Sequence, residues 1–209
     1  MKKLSYLIIS IFILSSCKGK IEPNSETNNT EFSTDLSFKE MKKLAEKGIV
    51  EAEFNLGVFY AQGKGTSIDK EKAVYWTIKS AEKDFLPAQR ALGIFYRDGF
   101  GVLTDKKKAF HWFKRSADKG FIESKFSLAV MYITGDGILK NPKKAIYLYN
   151  EIAPLGHTKA QYHLGQMYFF GEHLEQDRKK SAYWIRNSYE NGSERAKKFW
   201  DDNELWKYQ

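Results

Sequence analysis

Residues 88–120 read AQRALGIFYRDGFGVLTDKKKAFHWFKRSADKG, and the same pattern returns at a spacing of 36 residues on both sides. Leu92-Gly93 matches Leu56-Gly57, Leu128-Ala129 and Leu164-Gly165. Tyr96 matches Tyr60, Tyr132 and Tyr168, and Gly99 matches Gly63, Gly135 and Gly171. Lys108-Ala109 matches Lys72-Ala73, Lys144-Ala145 and Lys180-Ser181. Trp112 matches Trp76, Leu148 and Trp184. A fixed period of this length marks an array of stacked supersecondary units, each burying its apolar face only against its neighbours.

Within one period the apolar spacing is helical. In the first repeat, helix A runs from about Glu51 to Gln62 with Ala52, Leu56, Phe59 and Tyr60 as its buried stripe, and Gly63-Lys64-Gly65 stops it. The loop ends on Asp69, and its copies Asp105, Asn141 and Asp177 are also preferred helix N-cap types. Asn141-Pro142 adds proline at the first helical position. Helix B is expected to turn Ala73, Trp76, Ser80 and Ala81 inward, the small Ala73 allowing close approach and Trp76 filling the space one turn later. Gly48, Asp84, Gly120, Gly156 and Gly192 follow helix ends, where a left-handed backbone is common.

Ahead of the array the chain changes character. Met1-Lys2-Lys3 is basic and Leu4–Leu14 is apolar but too short to span a bilayer as a mature helix. Leu14-Ser15-Ser16-Cys17 then resembles a bacterial lipobox, which implies acylation of Cys17, the sole cysteine. Without another thiol the mature chain forms no disulfide, so packing alone must stabilise it. Residues 18–36 (KGKIEPNSETNNTEFSTDL) are polar and aperiodic, as expected of a disordered tether with a reach of roughly 25 Å. The expected division is a leader over 1–16, lipidated Cys17 and tether over 17–36, and a repeat array over 37–209. Full repeats fall at about 51–86, 87–122, 123–158 and 159–194, with half units on either side.

The run Ala88-x3-Leu92-Gly93-x2-Tyr96-x2-Gly99-x-Gly101-x3-Asp105-x2-Lys108-Ala109-x2-Trp112-x4-Ala117-x2-Gly120 resembles a Sel-one-like repeat, a relative of the tetratricopeptide repeat. The resemblance spans residues 38–200. It implies an all-α fold, an α/α solenoid of antiparallel helical hairpins in a right-handed superhelix. It also implies a role in protein complexes, with bacterial secreted members that include immunity proteins against antibacterial lipase toxins. This chain departs from the pattern at several points. His173 stands where the second loop glycine is expected, so that loop is expected to take another shape. Leu148 replaces Trp in the third repeat. Pro154 should end or kink the third helix B early. Trp200-Asp201 replaces Leu-Gly in the last helix A, which reads as a cap.

Positions identical in every copy are explained by packing, so binding is sought where copies differ. Helix A offers a variable stripe, concave-facing by resemblance, whose candidate partner-binding residues are Phe54, Arg90, Arg97, Phe126, Ile133, Tyr162, Phe169 and Phe170. Aromatic residues and arginine are the types enriched at binding hot spots. A second candidate is a basic ridge at the start of helix B: Lys70, Lys106, Lys107, Lys143, Arg178 and Lys179, beside one patterned lysine per copy whose stem is expected to lie on the neighbouring Trp. It contributes to a formal net charge of +8 and would attract an acidic partner or anionic head groups.

His111, His157, His163 and His173 have no close-spaced Cys, Asp or Glu in a metal-ligand pattern, and neither a serine nucleophile elbow nor a phosphate-binding glycine loop is present. The expectation is therefore a non-enzymatic interaction module without cofactor or metal, anchored by lipid in a bacterial envelope. Lys18 follows the lipid-bearing cysteine, which by analogy favours the outer membrane facing the periplasm. The expected partner is a protein, either an envelope component or a toxin neutralised by an immunity protein, and not nucleic acid. A cell-envelope hydrolase is the alternative of another class.

Overall fold

The computed structural model of the chain describes residues 36–209; the leader, Cys17 and nearly all of the tether lie outside the described residues. The described residues hold ten α-helices, no strand and a closing 3-10 turn, Leu205–Tyr208. The helices are α1 Phe38–Glu46, α2 Val50–Gln62, α3 Lys70–Glu82, α4 Leu86–Asp98, α5 Lys106–Asp118, α6 Ile122–Thr134, α7 Pro142–Ile152, α8 Thr158–Phe170, α9 Arg178–Glu190 and α10 Glu194–Asp202. Helices α2, α4, α6 and α8 are the A members of the repeats, and α3, α5, α7 and α9 the B members. The fold class is all-α, an α/α solenoid of helical hairpins. Two compact units are distinguished, one ending at Ala88 and the other running from Gln89 to Gln209.

Repeated positions explain the hairpins one bond at a time. The side chains of Asp69, Asp105, Asn141 and Asp177 accept from the backbone N–H groups of Lys72, Lys108, Lys144 and Lys180 at 2.9, 2.9, 3.1 and 2.9 Å. Each satisfies one orphan donor of helix B. The backbone N–H of the same cap residue donates to the carbonyl of Tyr60, Tyr96, Tyr132 or Tyr168 on helix A, which closes the loop. The capping lysine then turns back, so that its ammonium stands 5.3–5.5 Å from the centroid of that tyrosine ring in every repeat. The patterned lysine thus covers the helix-A tyrosine, not the neighbouring Trp that the sequence suggested.

A second correction concerns helix B. Trp76, Trp112, Leu148 and Trp184 are only half-buried. The buried large side chains sit one position later: Thr77, Phe113, Tyr149 and Ile185. Each faces the small residue of the Leu-Gly pair. A Cβ on Gly57 would lie 2.7 Å from Thr77 Oγ1, one on Gly93 2.6 Å from the Phe113 ring, and one on Gly165 2.6 Å from Ile185. In the third repeat Ala129 already stands there, in one cluster with Tyr149. Glycine is used because helix B drives a side chain into helix A's backbone.

In the first unit, α1 begins with a capping box, Ser37 and Glu40 satisfying each other's backbone donors. Phe38 meets Tyr60 edge-on at 5.3 Å, and Gly65 leaves no room for a Cβ beside Phe38. Ser80 Oγ donates to the Val50 carbonyl, pinning α3 to α2. In the second unit α7 ends at Ile152, two residues before Pro154, and is shorter than its counterparts. His173 was expected to reshape its loop but takes φ +63°, the left-handed conformation of Gly65, Gly101 and Gly137. At the C-terminus Trp200 and the fully buried Leu205 close a cluster with Ala182, Ile185 and Ala196.

Candidate partner-binding surface

The variable helix-A positions divide into core and surface. Phe54 is buried against Phe85, ring centroids 5.4 Å apart. Tyr162 is buried edge-on to Phe199, with the Arg195 guanidinium 5.2 Å from its ring. Ile133 packs against the cluster around Tyr149. Phe169, Phe170 and Phe199 form an aromatic knot in which only Phe170 is largely exposed, and Arg178 lies 3.6 Å over the Phe169 ring. Arg178, nominated for the basic ridge, is therefore committed to that ring.

The second unit gathers an unforeseen group around Phe126. The His157 ring stacks on Phe126 at 4.8 Å, and His163 lies 5.6 Å from Phe126 and nearly parallel to Tyr149. His157 is the N-cap of α8, where Nδ1 accepts from the Ala160 N–H at 3.1 Å. That bond assigns the proton to Nε2 of the neutral ring. Burial holds His157 at a pKa of about 4, with Glu123 opposing and Lys159 and Arg90 adding to the depression. Burial also lowers His163, helped by the charges of Arg195 and Lys159.

Three cations act on these imidazoles, Arg90 on α4, Lys159 on α8 and Arg195 on α10, and a fourth, Arg97, acts on Arg90. Asp98 holds Arg97 through two bonds, 2.7 and 2.8 Å. Arg90 differs: its Nε is buried and has no hydrogen-bond partner. Desolvation lowers the Arg90 pKa, Glu123 opposes this, and the like charge of Arg97 adds to it. Desolvation and Arg90 together lower Lys159. The structure thus brings together Arg90, Phe126, His157, His163 and Lys159, leaves Phe54 in the other unit, and ties Arg97 to its neighbour.

The sequence did contain a signal for the histidine. Ile49, Phe85, Phe121 and His157 are repeat equivalents, and a lone imidazole among large apolar residues marks a changed environment. Glu123, Lys159 and Arg195 likewise share one column, a run of charges at the first turn of successive A helices. Of the ridge residues, Lys106 pairs with Asp136 at 3.4 Å, while Lys70, Lys107, Lys143 and Lys179 are exposed. Among the described residues no group of three or more His, Cys, Asp or Glu is placed to hold a metal.

A solenoid of stacked helical hairpins, each buried against its neighbours, defines the class of helical repeat proteins. The Sel1 repeat model matches residues 50–85, 86–121, 122–157 and 158–193, and the chain belongs to the Sel1 repeat family. The chain is 32% identical to a Sel1 repeat protein from Oxalobacter formigenes of known crystal structure, at a TM-score of 0.72, over 76% of this chain and 65% of that one. It is 34% identical to c5321, a protective antigen present in uropathogenic Escherichia coli strains displaying an SLR fold, at a TM-score of 0.71, over 76% of this chain and 34% of that one. The chain thus spans less than two thirds of the length of either. No curated protein matches it. Sel1 repeat proteins are generally protein-interaction modules and typically non-enzymatic scaffolds.

Proposed function

We propose that this chain is a non-enzymatic protein-binding module of a bacterial cell envelope. In this reading an acylated Cys17 tethers it to the outer membrane, facing the periplasm, and the A helices of the second unit hold the partner. The observation that supports the binding reading is the buried, unpartnered Nε of Arg90 beside the Phe126–His157 stack. A guanidinium donor withdrawn from water gains a full charge-assisted hydrogen bond when a carboxylate reaches it. The rings alongside would take an apolar side chain. The partner is therefore a protein segment bearing an acidic residue next to an aromatic or aliphatic one.

Affinity purification of the full chain from membranes, followed by mass spectrometry, identifies that partner. Arg90→Ala combined with Phe126→Ala should weaken its binding by ~2 kcal/mol or more, with helical content retained. Loss of fold with undiminished binding per folded molecule would remove the site from the A helices. Labelling with a palmitate analogue tests the anchor separately: wild type should take the label and Cys17→Ala should not.

A further inference from the structure

One edge of the second unit has a chemistry that the partner site does not use. The loop before α5 carries Leu103 and the loop before α7 carries Leu139, at equivalent places in successive repeats, and these leucines are 90% and 91% exposed. No other large apolar side chain among the described residues is as exposed. The two loops share one edge. Gly137 packs so closely on the backbone of Lys106, at the start of α5, that a Cβ there would meet its carbonyl carbon at 2.5 Å. Ile138, next to Leu139, is drawn into the cluster of Phe113 and Met131. Just after Leu139 the Asn141 N–H donates to the Tyr132 carbonyl at 2.8 Å, so the loop is fastened on either side of an outward leucine.

The charges around these leucines are of one sign once internal pairs are removed. Asp136 is engaged by Lys106 at 3.4 Å, and Asp105 caps α5 and pairs with Lys108 at 3.8 Å. Lys107, Lys140 and Lys143 are exposed and make no ion pair among the described residues. Three unpaired ammonium groups beside two bare leucines make a surface that water solvates poorly at the leucines and that attracts anions at the lysines. Aliphatic side chains flanked by lysines suit a bilayer interface, where the leucine enters the acyl boundary and the ammonium stays among head groups. A folded acidic protein would satisfy the lysines, yet two leucines standing almost wholly in water on separate loops are placed to enter acyl chains side by side.

We infer that the edge formed by Leu103, Leu139, Lys107, Lys140 and Lys143 docks on the surface of an anionic lipid bilayer. The tether reading of Cys17 would keep such a bilayer within reach, but the docking does not require it.

The test uses the chain from Lys18 to Gln209, which contains every described helix and lacks Cys17. It is sedimented with vesicles of phosphatidylglycerol and phosphatidylethanolamine, and with vesicles of phosphatidylcholine alone. Binding to the anionic vesicles should be at least ~10-fold tighter and should fall as salt rises. Leu103→Asp with Leu139→Asp should reduce it by ~10-fold or more, as should Lys107→Glu with Lys140→Glu and Lys143→Glu. Far-ultraviolet circular dichroism should be unchanged, since none of the five side chains is buried. Failure to bind anionic vesicles, or binding insensitive to both sets of changes, overturns the inference. Failure on vesicles with edge-dependent capture of an acidic protein would assign the edge to a protein instead. Because acylation is absent from the test, a negative result leaves the Cys17 reading untouched.

Discussion

Ser181 is the one departure from alanine in its column and is fully buried, its Oγ lacking a partner. Ser181→Ala should therefore stabilise the second unit by about 1 kcal/mol, since a buried unsatisfied hydroxyl costs ~1–3 kcal/mol; chemical denaturation would read the gain. Phe113 and Trp112 supply a contrast between neighbours. Phe113→Ala removes a fully buried ring and should cost ~3–5 kcal/mol, whereas Trp112→Ala, at a half-exposed site, should cost well under half of that. His157 sets a pH dependence. Its folded pKa is about 4 against an ordinary 6.5, so the unfolded chain takes up the proton first. Stability present above pH 6.5 is lost as the pH falls and is gone near pH 4, an amount of about 3 kcal/mol. His157→Asn keeps an N-cap oxygen, so the difference between its unfolding curves and those of wild type should vanish or reverse across that window.

At the scale of elements, the caps should behave alike in all four hairpins. Asp105→Ala should lower stability by ~1 kcal/mol, and Asp105→Asn by much less, as measured by thermal unfolding. These caps, the loop glycines and the helix boundaries were legible because each depends on residues close in sequence. The buried column of helix B was not. Thr77, Phe113, Tyr149 and Ile185 share no chemistry, so they pass for variable surface, while the recurrent Trp passes for core. What they share is a facing residue without bulk, seen only when both helices are in place. The candidate site was half legible for a related reason. Arg90 and Phe126 stood out as variable residues of binding type, but Phe54 and Tyr162, of the same type and in the same column, are buried by their own neighbours. The histidines were set aside as metal ligands without a further role, and the ring contacts of His157 and His163 appear only once α6 and α8 are packed.

Within each unit, order is carried by contacts between successive elements. Leu205 is fully buried against the C-terminal cluster. Removing residues 204–209 should cost ~2–4 kcal/mol in the second unit. Hydrogen exchange should then speed up in α8–α10 and stay as it was in α1–α3. Charge is also unevenly distributed. In the second repeat α5 holds Lys106, Lys107, Lys108, Lys114 and Arg115 against Asp118 alone, while α4 balances Arg90 and Arg97 with Asp98 only in part. Any anionic ligand therefore approaches repeats whose B helices carry the net positive charge, while acids and bases nearly balance on the A helices α2, α4, α6 and α8.

The glycine-to-bulk matching within each hairpin sets where this chain can be cut and rejoined. An A helix with Gly93 fits a B helix bearing Phe113, and Ala129 fits one bearing Tyr149. A chimera that exchanged B helices alone would set a ring against a methyl group never shaped for it. A crossover placed between Asp118 and Ile122, or between Ile152 and Thr158, moves the matched pair together. The unit of transplantation is therefore the hairpin, and libraries of shuffled arrays should be joined at the turns that follow helix B.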